Sequence, residues 1–334
     1  MARAGVEGPD DVMIAAQLAA ALEVSSFPKP GNVHRRADLG PKTFERFLAG
    51  SIAIGPACRK AAERGLAVAE GSLGPSEVGL GSLIEEAVRK DGSWQKADPT
   101  HTGFAMLAIP LSASAGLALG KGLELSPRAL RSGLLELLRS STVEDAKALY
   151  RALRASCSTK LGTLRPDVGL PDVFDPRAGE VLAERSLRLW DVLEKCSSWD
   201  LVARELCRGL ELSSEVGLRR LEEEMRQHGH LNTAVVNAYL ALLAEAEDTH
   251  LARAWGLRKT PLIPDAIWEG LEMARKVSEE ARRILELGGA RTPEGLRALW
   301  EMDKWLRSEG LNPGSCADLT ACSLMMALLT WLRP

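Results

Sequence analysis

The segment from residue 23 to residue 36 combines a lysine held between two prolines with several other cations. In Pro28-Lys29-Pro30-Gly31 the prolines fix the backbone φ on both sides of the lysine and keep it out of a helix. The glycine lets the backbone approach a ligand closely, and Asn32 follows it. This pattern indicates a phosphate-binding corner, although a solvated, proline-stiffened turn would give the same sequence. Four potential cations lie close together in the chain: Lys29, His34, Arg35 and Arg36.

A second polar segment, residues 97–104, opens a long uncharged stretch. Thr100, His101 and Gly103 stand where a helix would begin, and the free N–H groups of a helix N-terminus bind anions. An imidazole at this place can contact phosphate or move a proton. The simpler interpretation is that Thr100 caps the helix and His101 bonds locally.

The third segment lies around Asp248, where one apolar helix ends and another turn begins. Glu245, Glu247 and Asp248 form an acidic group of the kind that suits Mg²⁺. Thr249 and Arg253 are four residues apart and would share a helical face. The alternative is a solvated helix end at which Asp248 caps the next helix.

The fourth segment is residues 311–320. Asn312-Pro313-Gly314 predicts a tight turn that can expose backbone N–H groups. Ser315 and Asp318 have the spacing of a capping box, in which each side chain bonds a free N–H of the other. Alternatively, Asp318 points from a buried first turn into a site.

The elements that must position these segments are helices. Leucine and alanine recur at spacings of three and four residues, and alternating strand-like runs are missing. We expect an all-α protein with a single multi-helix domain over residues 1–334. Residues 99–120 carry no Asp, Glu, Lys or Arg and predict a central buried helix rather than a membrane span. Residues 156–179, rich in Gly and Pro, predict a long mobile flap.

Composition narrows the function classes. The net charge of −3, with 42 Lys+Arg against 45 Asp+Glu, argues against bulk binding of nucleic acid. The six cysteines form no C-x-x-C pair, so they give no support for a zinc site. We expect a cytoplasmic protein, because the scattered cysteines in apolar segments are typical of a reducing compartment and the N-terminus lacks the pattern of a signal peptide.

Taken together and in this order, the four segments resemble the triphosphoribosyl-dephospho-CoA synthase family. The matching residues are Glu23 with Pro28-Lys29-Pro30-Gly31, then Pro99-Thr100-His101-Thr102-Gly103, then Asp248-Thr249, and last Asn312-Pro313-Gly314-Ser315-Cys316-Ala317-Asp318-Leu319. Two departures stand out. Pro99 replaces an asparagine of the family pattern, and His250 follows Asp248-Thr249 where an amide or aliphatic residue is expected. The chain therefore resembles a divergent branch.

The resemblance implies an all-helical pentosyltransferase that moves the triphosphoribosyl group of ATP to a nucleotide acceptor such as 3'-dephospho-CoA, with release of adenine. It implies Mg²⁺ as the metal, ATP and the acceptor as partners, and leaves a homodimer open. The implied catalytic residues are Glu23, His101, Asp248 and Asp318, and the implied metal ligands are Asp248 and Asp318. The implied phosphate- and nucleotide-binding residues are Lys29, Gly31, Asn32, Arg35, Thr100, Gly103, Thr249, Arg253, Asn312, Gly314 and Ser315.

Two other functions use the same residues. One is a Mg²⁺-dependent phosphohydrolase or an enzyme like the ADP-ribosyl hydrolases, which would employ the same carboxylates. The other is a non-catalytic helical protein that binds nucleotides. Between His101 and Glu23, the sequence does not assign which is the acid and which the base.

Overall fold

The computed structural model describes residues 5–95, 98–156 and 161–334. Within these ranges the backbone is helical with isolated bridges and no strand, so the expectation of an all-α fold is confirmed. The helices are α1 Pro9–Ser25, α2 Phe44–Ala53, α3 Gly55–Ala69, α4 Leu80–Gln95, α5 Thr102–Gly120, α6 Pro127–Arg139, α7 Val143–Ser156, α8 Ala178–Glu184, α9 Leu189–Cys196, α10 Leu201–Cys207, α11 Arg219–His228, α12 Leu231–Glu245, α13 Thr249–Gly256, α14 Ile263–Glu286, α15 Pro293–Ser308 and α16 Gly314–Thr330. A π-helical turn, Ser213–Leu218, precedes α11.

The uncharged helix α5 lies at the centre of the protein. By length and composition it could cross a membrane, but residues 104–118 are all buried among other helices. Two glycines let α5 pack closely on α3. A methyl group at Gly65 would lie 1.9 Å from the carbonyl oxygen of Ala113, and one at Gly116 would lie 1.9 Å from that of Ala62. The close contact between these backbones therefore depends on both glycines.

The four polar segments lie at helix ends that face one another. The first follows the C-terminus of α1, and the others precede or begin α5, α13 and α16. Because α1 and α5 both pack against α16, and α13 packs against it as well, the topology brings these ends together. One hydrophobic core cluster includes residues from all of these helices.

The segment predicted to be a flap is tied to two helices where it is described. The Tyr150 hydroxyl of α7 donates to the carbonyl of Pro171 at 3.0 Å, and Thr163 exchanges backbone hydrogen bonds with Pro261 and Ile263 beside α14. Residues 157–160, with Cys157, lie outside the described residues. Mobility of residues 156–179 stays a prediction.

Two predicted helix caps are wrong. Helix α16 begins at Gly314 after Pro313, and no side chain caps it from that position, so Ser315 and Asp318 form no capping box. Similarly, α5 begins after His101 rather than after a capping Thr100. In both cases a carboxylate from elsewhere in the fold bonds the exposed backbone N–H groups, as described below.

Candidate functional site

Lys29 and Glu23 form a buried ion pair at the centre of the site. The Lys29 ammonium donates to Glu23 Oε1, and the two residues are 0% and 6% exposed. Burial lowers the pKa of Lys29, and the neighbouring Glu23 and Asp318 carboxylates act in the opposite direction. Within the described residues Glu23 is the hydrogen-bond partner of this ammonium, which carries three N–H groups. Lys29 therefore retains donor capacity toward an anion.

The loop that carries Lys29 is held by α15 and α12. The N–H of Gly31 donates to Asp303 Oδ1 at 2.9 Å, and the Tyr239 hydroxyl donates to the carbonyl of Pro30 at 2.9 Å. Gly31 has a φ of +72° and lies against Leu311, so a side chain there would be strained and crowded. Arg307 bridges Asp303 at 2.8 Å and the carbonyl of Asn32. These contacts fix the loop from outside the four predicted segments.

Asp318 lies against the N-terminus of α5. A methyl group at Gly103 would lie only 2.0 Å from Asp318 Oδ2, and the N–H of Phe104 bonds the same carboxyl group. Burial, together with nearby Glu23 and Asp248, raises the pKa of Asp318 well above its ordinary value. The glycine is needed because any other residue would push the carboxyl away from the helix end.

Asp248 is fully buried and caps two helices. Its Oδ1 accepts from the N–H of Leu251 in α13 at 2.9 Å, and its Oδ2 accepts from the N–H of Cys316 in α16 at 2.7 Å. Burial raises its pKa to about 6. The predicted acidic group does not form, because Glu245 is exposed and Glu247 pairs with Arg275. Capping by Asp248 is thus confirmed, but in a buried rather than a solvated setting.

A cationic corner faces these carboxyl groups. Lys42 is half-buried and close enough to act electrostatically on both Asp318 and His250. Arg253 lies 3.4 Å from His250 Nδ1. Burial and these two cations lower the pKa of His250 to about 3, so its imidazole is neutral. Thr249 bonds the backbone of α10, because its hydroxyl oxygen accepts from the N–H of Leu201 at 2.9 Å.

His101 is held by a buried carboxylate that sequence reasoning did not identify. Asp91 Oδ2 accepts from the N–H groups of Thr100 and His101, at 2.7 and 2.9 Å. The Thr100 hydroxyl lies 2.8 Å from His101 Nδ1 and within 3.4 Å of both Asp91 oxygens. Gly50 makes room for this arrangement, because a methyl group there would lie 2.4 Å from Asp91 Oδ1. The imidazole also packs edge-on against Phe47.

Several buried polar atoms in this region lack hydrogen-bond partners. Among the described residues seven such side-chain atoms occur, and five of them belong to the first, second and fourth polar segments. Buried polar groups are normally paired, so such a concentration indicates that something else supplies the partners. The five atoms are Asn32 Nδ2, His34 Nε2, His101 Nε2, Thr102 Oγ1 and Asn312 Oδ1.

Other predicted residues lie at the edge of this region. The Arg35 guanidinium is exposed and stacks over the Phe27 ring at 4.2 Å. Asn232 lies in the first turn of α12, which begins at Leu231, and exchanges two hydrogen bonds with the backbone of Phe27. Gly314 lies against the His250 ring, and Ser315 is buried in the first turn of α16.

The carboxylates do not form a metal cage by themselves. In the described ranges no three His, Cys, Asp or Glu side chains gather closely enough to hold a metal ion. Both Asp248 oxygens already accept backbone N–H groups, whereas Asp318 is partly exposed. One accessible carboxyl group fits Mg²⁺ that keeps its waters and is shared with substrate phosphates.

The structure therefore brings Glu23, Lys29, Gly103, Asp248 and Asp318 into one region, with His101 two residues before Gly103. Sequence reasoning missed Lys42, Asp91 and the pair Asp303–Arg307. The pair has the spacing of an ordinary surface ion pair on a helix, and Asp91 follows Arg89 and Lys90 in what reads as an exposed charged run. Only tertiary contacts distinguish these residues from solvated ones.

Comparisons with known proteins show the family to which the chain belongs. A candidate 2-(5''-triphosphoribosyl)-3'-dephosphocoenzyme-A synthase from Pseudomonas fluorescens is 33% identical over 124 residues, which cover 36% of this chain and 37% of that protein. A solved structure described as a candidate triphosphoribosyl-dephospho-CoA synthase from Archaeoglobus fulgidus has a TM-score of 0.58 and 25% identity, and the match covers 86% of this chain and all of the other. Residues 9–334 match the family described as ATP:dephospho-CoA triphosphoribosyl transferase (CitG). The chain therefore belongs to the ATP:dephospho-CoA triphosphoribosyl transferase family.

Proposed function

We propose that this protein transfers the triphosphoribosyl group of ATP to a hydroxyl group of a nucleotide acceptor such as 3'-dephospho-CoA and releases adenine. The observation that carries the proposal is the set of five unpartnered buried polar atoms in the first, second and fourth polar segments, which also supply Lys29, Asp318 and the N-terminus of α5. Family membership supports the same reaction class.

The triphosphate would be held by cations and backbone N–H groups. Lys29 has N–H donors left for the phosphates. Lys42 and Arg253 add two cations close to His250. Such preorganised donors stabilise charge most effectively where water is excluded. When bound, Mg²⁺ would share the phosphate charge, and Asp318 is the residue best placed to contact it, with Asp248 as a second carboxyl group nearby.

The transfer itself requires one bond to form and one to break at the ribose. The acceptor oxygen bonds to C1' of ATP, and the bond from C1' to N9 of adenine breaks with its electron pair on nitrogen. The transition state resembles an oxocarbenium ion, which nearby carboxylates stabilise. The hydroxyl proton passes to a base on the protein, and adenine takes a proton from an acid.

Asp318 is assigned to Mg²⁺ and not to acid catalysis, because a carboxyl group that contacts the metal must be ionised. Its carboxyl group is anchored at the α5 N-terminus, and burial raises its pKa in the metal-free protein. Contact with Mg²⁺ requires loss of the proton that this raised pKa favours, so Mg²⁺ affinity should rise with pH. Glu23 is also poorly suited to act as the acid, because the Lys29 ammonium already bonds one of its oxygens.

The test is direct. The protein is incubated with Mg-ATP and dephospho-CoA, and free adenine and a product carrying the added triphosphoribosyl group are sought by mass spectrometry. Asp318→Asn should abolish adenine release, whereas Asp145→Asn, a change to a buried capping carboxylate between α4 and α7, should retain it. Formation of ADP or AMP with the base still attached would instead indicate a phosphohydrolase, and binding of ATP without turnover would indicate a non-catalytic protein.

A further inference from the structure

Asp91, Thr100 and His101 form a buried hydrogen-bonded group, and its contacts favour one nitrogen of the imidazole as the site of the proton. The Thr100 hydroxyl has three neighbours: Asp91, His101 Nδ1 at 2.8 Å, and Gln95 Nε2, which donates to it at 3.0 Å. A hydroxyl has one proton to donate and two lone pairs. If its proton points to the Asp91 carboxylate, its lone pairs accept from Gln95 and from a protonated Nδ1, and all groups are satisfied.

The opposite arrangement is less favourable. A hydroxyl that donated to Nδ1 would place the ring proton on Nε2, a buried atom for which the described residues offer no acceptor, while Gln95 Nε2 would still donate to Asp91 Oδ1. The Asp91 carboxylate lies 3.8 Å from Nδ1, and its negative charge favours a proton on the nearer ring nitrogen. With the proton on Nδ1, the far nitrogen Nε2 carries a lone pair. Nε2 is buried and has no partner among the described residues.

We propose that Asp91 is a positioning residue that acts through Thr100 to hold His101 with its proton on Nδ1, so that Nε2 is the base that removes the proton of the acceptor hydroxyl. This inference rests on the proposed function for the identity of the reaction, but the tautomer itself can be observed without it. In the transfer step the proton goes from the acceptor oxygen to Nε2 while that oxygen bonds to C1' and adenine departs with the electron pair of the broken bond.

An asparagine at position 91 separates positioning from folding. In Asp91→Asn the amide oxygen can still accept the N–H groups of Thr100 and His101, but the NH₂ group donates to the Thr100 oxygen. The Thr100 proton must then turn toward Nδ1, and the ring proton moves to Nε2, which can no longer accept. We expect kcat for adenine release to fall about 10²–10⁴-fold with KM for ATP changed less than about threefold, as for loss of a general base.

The matched control is Asp145→Asn. Asp145 is 3% exposed and accepts from the N–H groups of Gly81 and Thr142 and from the Thr142 hydroxyl. Like Asp91, it is a buried carboxylate that bonds two backbone N–H groups and a threonine hydroxyl, but no histidine or glutamine side chain in the described part of the chain bonds it. Both variants should lose stability, but only Asp91→Asn should lose kcat. Thr100→Val should behave like Asp91→Asn, and Thr100→Ser, which keeps the hydroxyl, should retain activity within about threefold.

The tautomer is measured by ¹⁵N NMR of protein labelled at its five histidines, with His101 assigned from the spectrum of His101→Gln. The wild type should show a protonated Nδ1 and a bare Nε2, and Asp91→Asn should show the reverse, both in the absence of substrate. A wild-type proton on Nε2, or equal loss of kcat in the Asp91 and Asp145 variants, would overturn the inference. A wild type that releases no adenine but shows the expected tautomers would overturn the proposed function alone.

Discussion

Glu205 and Asp318 both lie among packed helices, but the polar groups around them differ in how completely they are hydrogen-bonded. Glu205 is 1% exposed and accepts three hydrogen bonds, from the N–H groups of Leu212 and Ser213 and from the Ser213 hydroxyl. In the polar segment that holds Asp318 and in the first and second polar segments, by contrast, five buried polar atoms have no partners among the described residues. A saturated network stabilises the fold, whereas an unsaturated one costs stability and is kept where a ligand completes it.

The largest expected effect comes from breaking the central ion pair. Lys29→Met should leave the Glu23 carboxylate buried and unpaired, which costs about 3–5 kcal/mol in the free energy of unfolding. Loss of the phosphate-facing donor should also lower adenine release about 10²–10³-fold. The double variant Glu23→Gln with Lys29→Met should recover most of the stability, measured by urea unfolding, but none of the activity. Recovery of adenine release in the double variant would show that the pair is structural only.

The second effect concerns the free energy of unfolding at acid pH, to which His34 contributes. Burial lowers the pKa of His34 to about 4 in the folded protein, against an ordinary 6.5. As pH falls through 6.5 the unfolded chain gains a proton that folded His34 does not bind. The free energy of unfolding should therefore fall by about 3 kcal/mol between pH 6.5 and about 4 from this residue alone.

His34→Asn tests this pH dependence. The amide oxygen can replace Nδ1 as the acceptor for the N–H of Arg36, and the variant cannot titrate in this range. Urea unfolding at pH 7 and pH 4.5 should show a smaller loss of stability in the variant than in the wild type. Equal losses would mean that His34 is protonated in the fold.

A substitution in the saturated network around Glu205 should lower the stability of the protein and leave its activity unchanged. Glu205→Gln exchanges one accepting oxygen for an NH₂ group that faces the backbone N–H of Leu212 or Ser213. We expect a loss of about 1–3 kcal/mol in the free energy of unfolding with unchanged kcat for adenine release at a temperature where the variant is folded. A selective loss of kcat would extend the functional region to this part of the core.

The smallest effect is expected for an unpartnered atom. Because Asn312 Oδ1 has no partner, Asn312→Ala should leave the free energy of unfolding unchanged within about 1 kcal/mol. If substrate completes this group, KM for ATP or for the acceptor should rise about 2- to 10-fold, equivalent to one hydrogen bond. A clear loss of stability without any change in KM would show that Asn312 belongs with the structural network around Glu205.

Several features could be predicted from the chain alone because they depend on local chemistry. The all-α fold follows from helical periodicity. The buried position of α5 follows from its lack of charge. Thr292, a residue type that favours helix N-caps, stands before Pro293 and caps α15 by accepting from the N–H of Gly295 at 3.0 Å.

The failures were those where a distant residue replaced a local partner. The N-terminus of α16 is capped by Asp248 rather than by Ser315, and the turn before α5 is held by Asp91 rather than by Thr100. Capping patterns describe bonds within four residues, whereas these carboxylates come from 68 and 9 residues away in the chain. No local signal distinguishes a carboxylate that will be buried against a remote helix end from one that stays in water.

The sequence by itself determined that the chain is helical, that its central helix is buried, and which four polar segments resist a regular apolar pattern, because residue type and spacing set these properties locally. Only the tertiary structure decided that Lys29 pairs with Glu23, that Gly103 admits Asp318 to the end of α5, and that Lys42 and Asp91 join the region. Hydrogen bonding and burial depend on distances between segments far apart in the chain, and those distances exist only once the helices have packed.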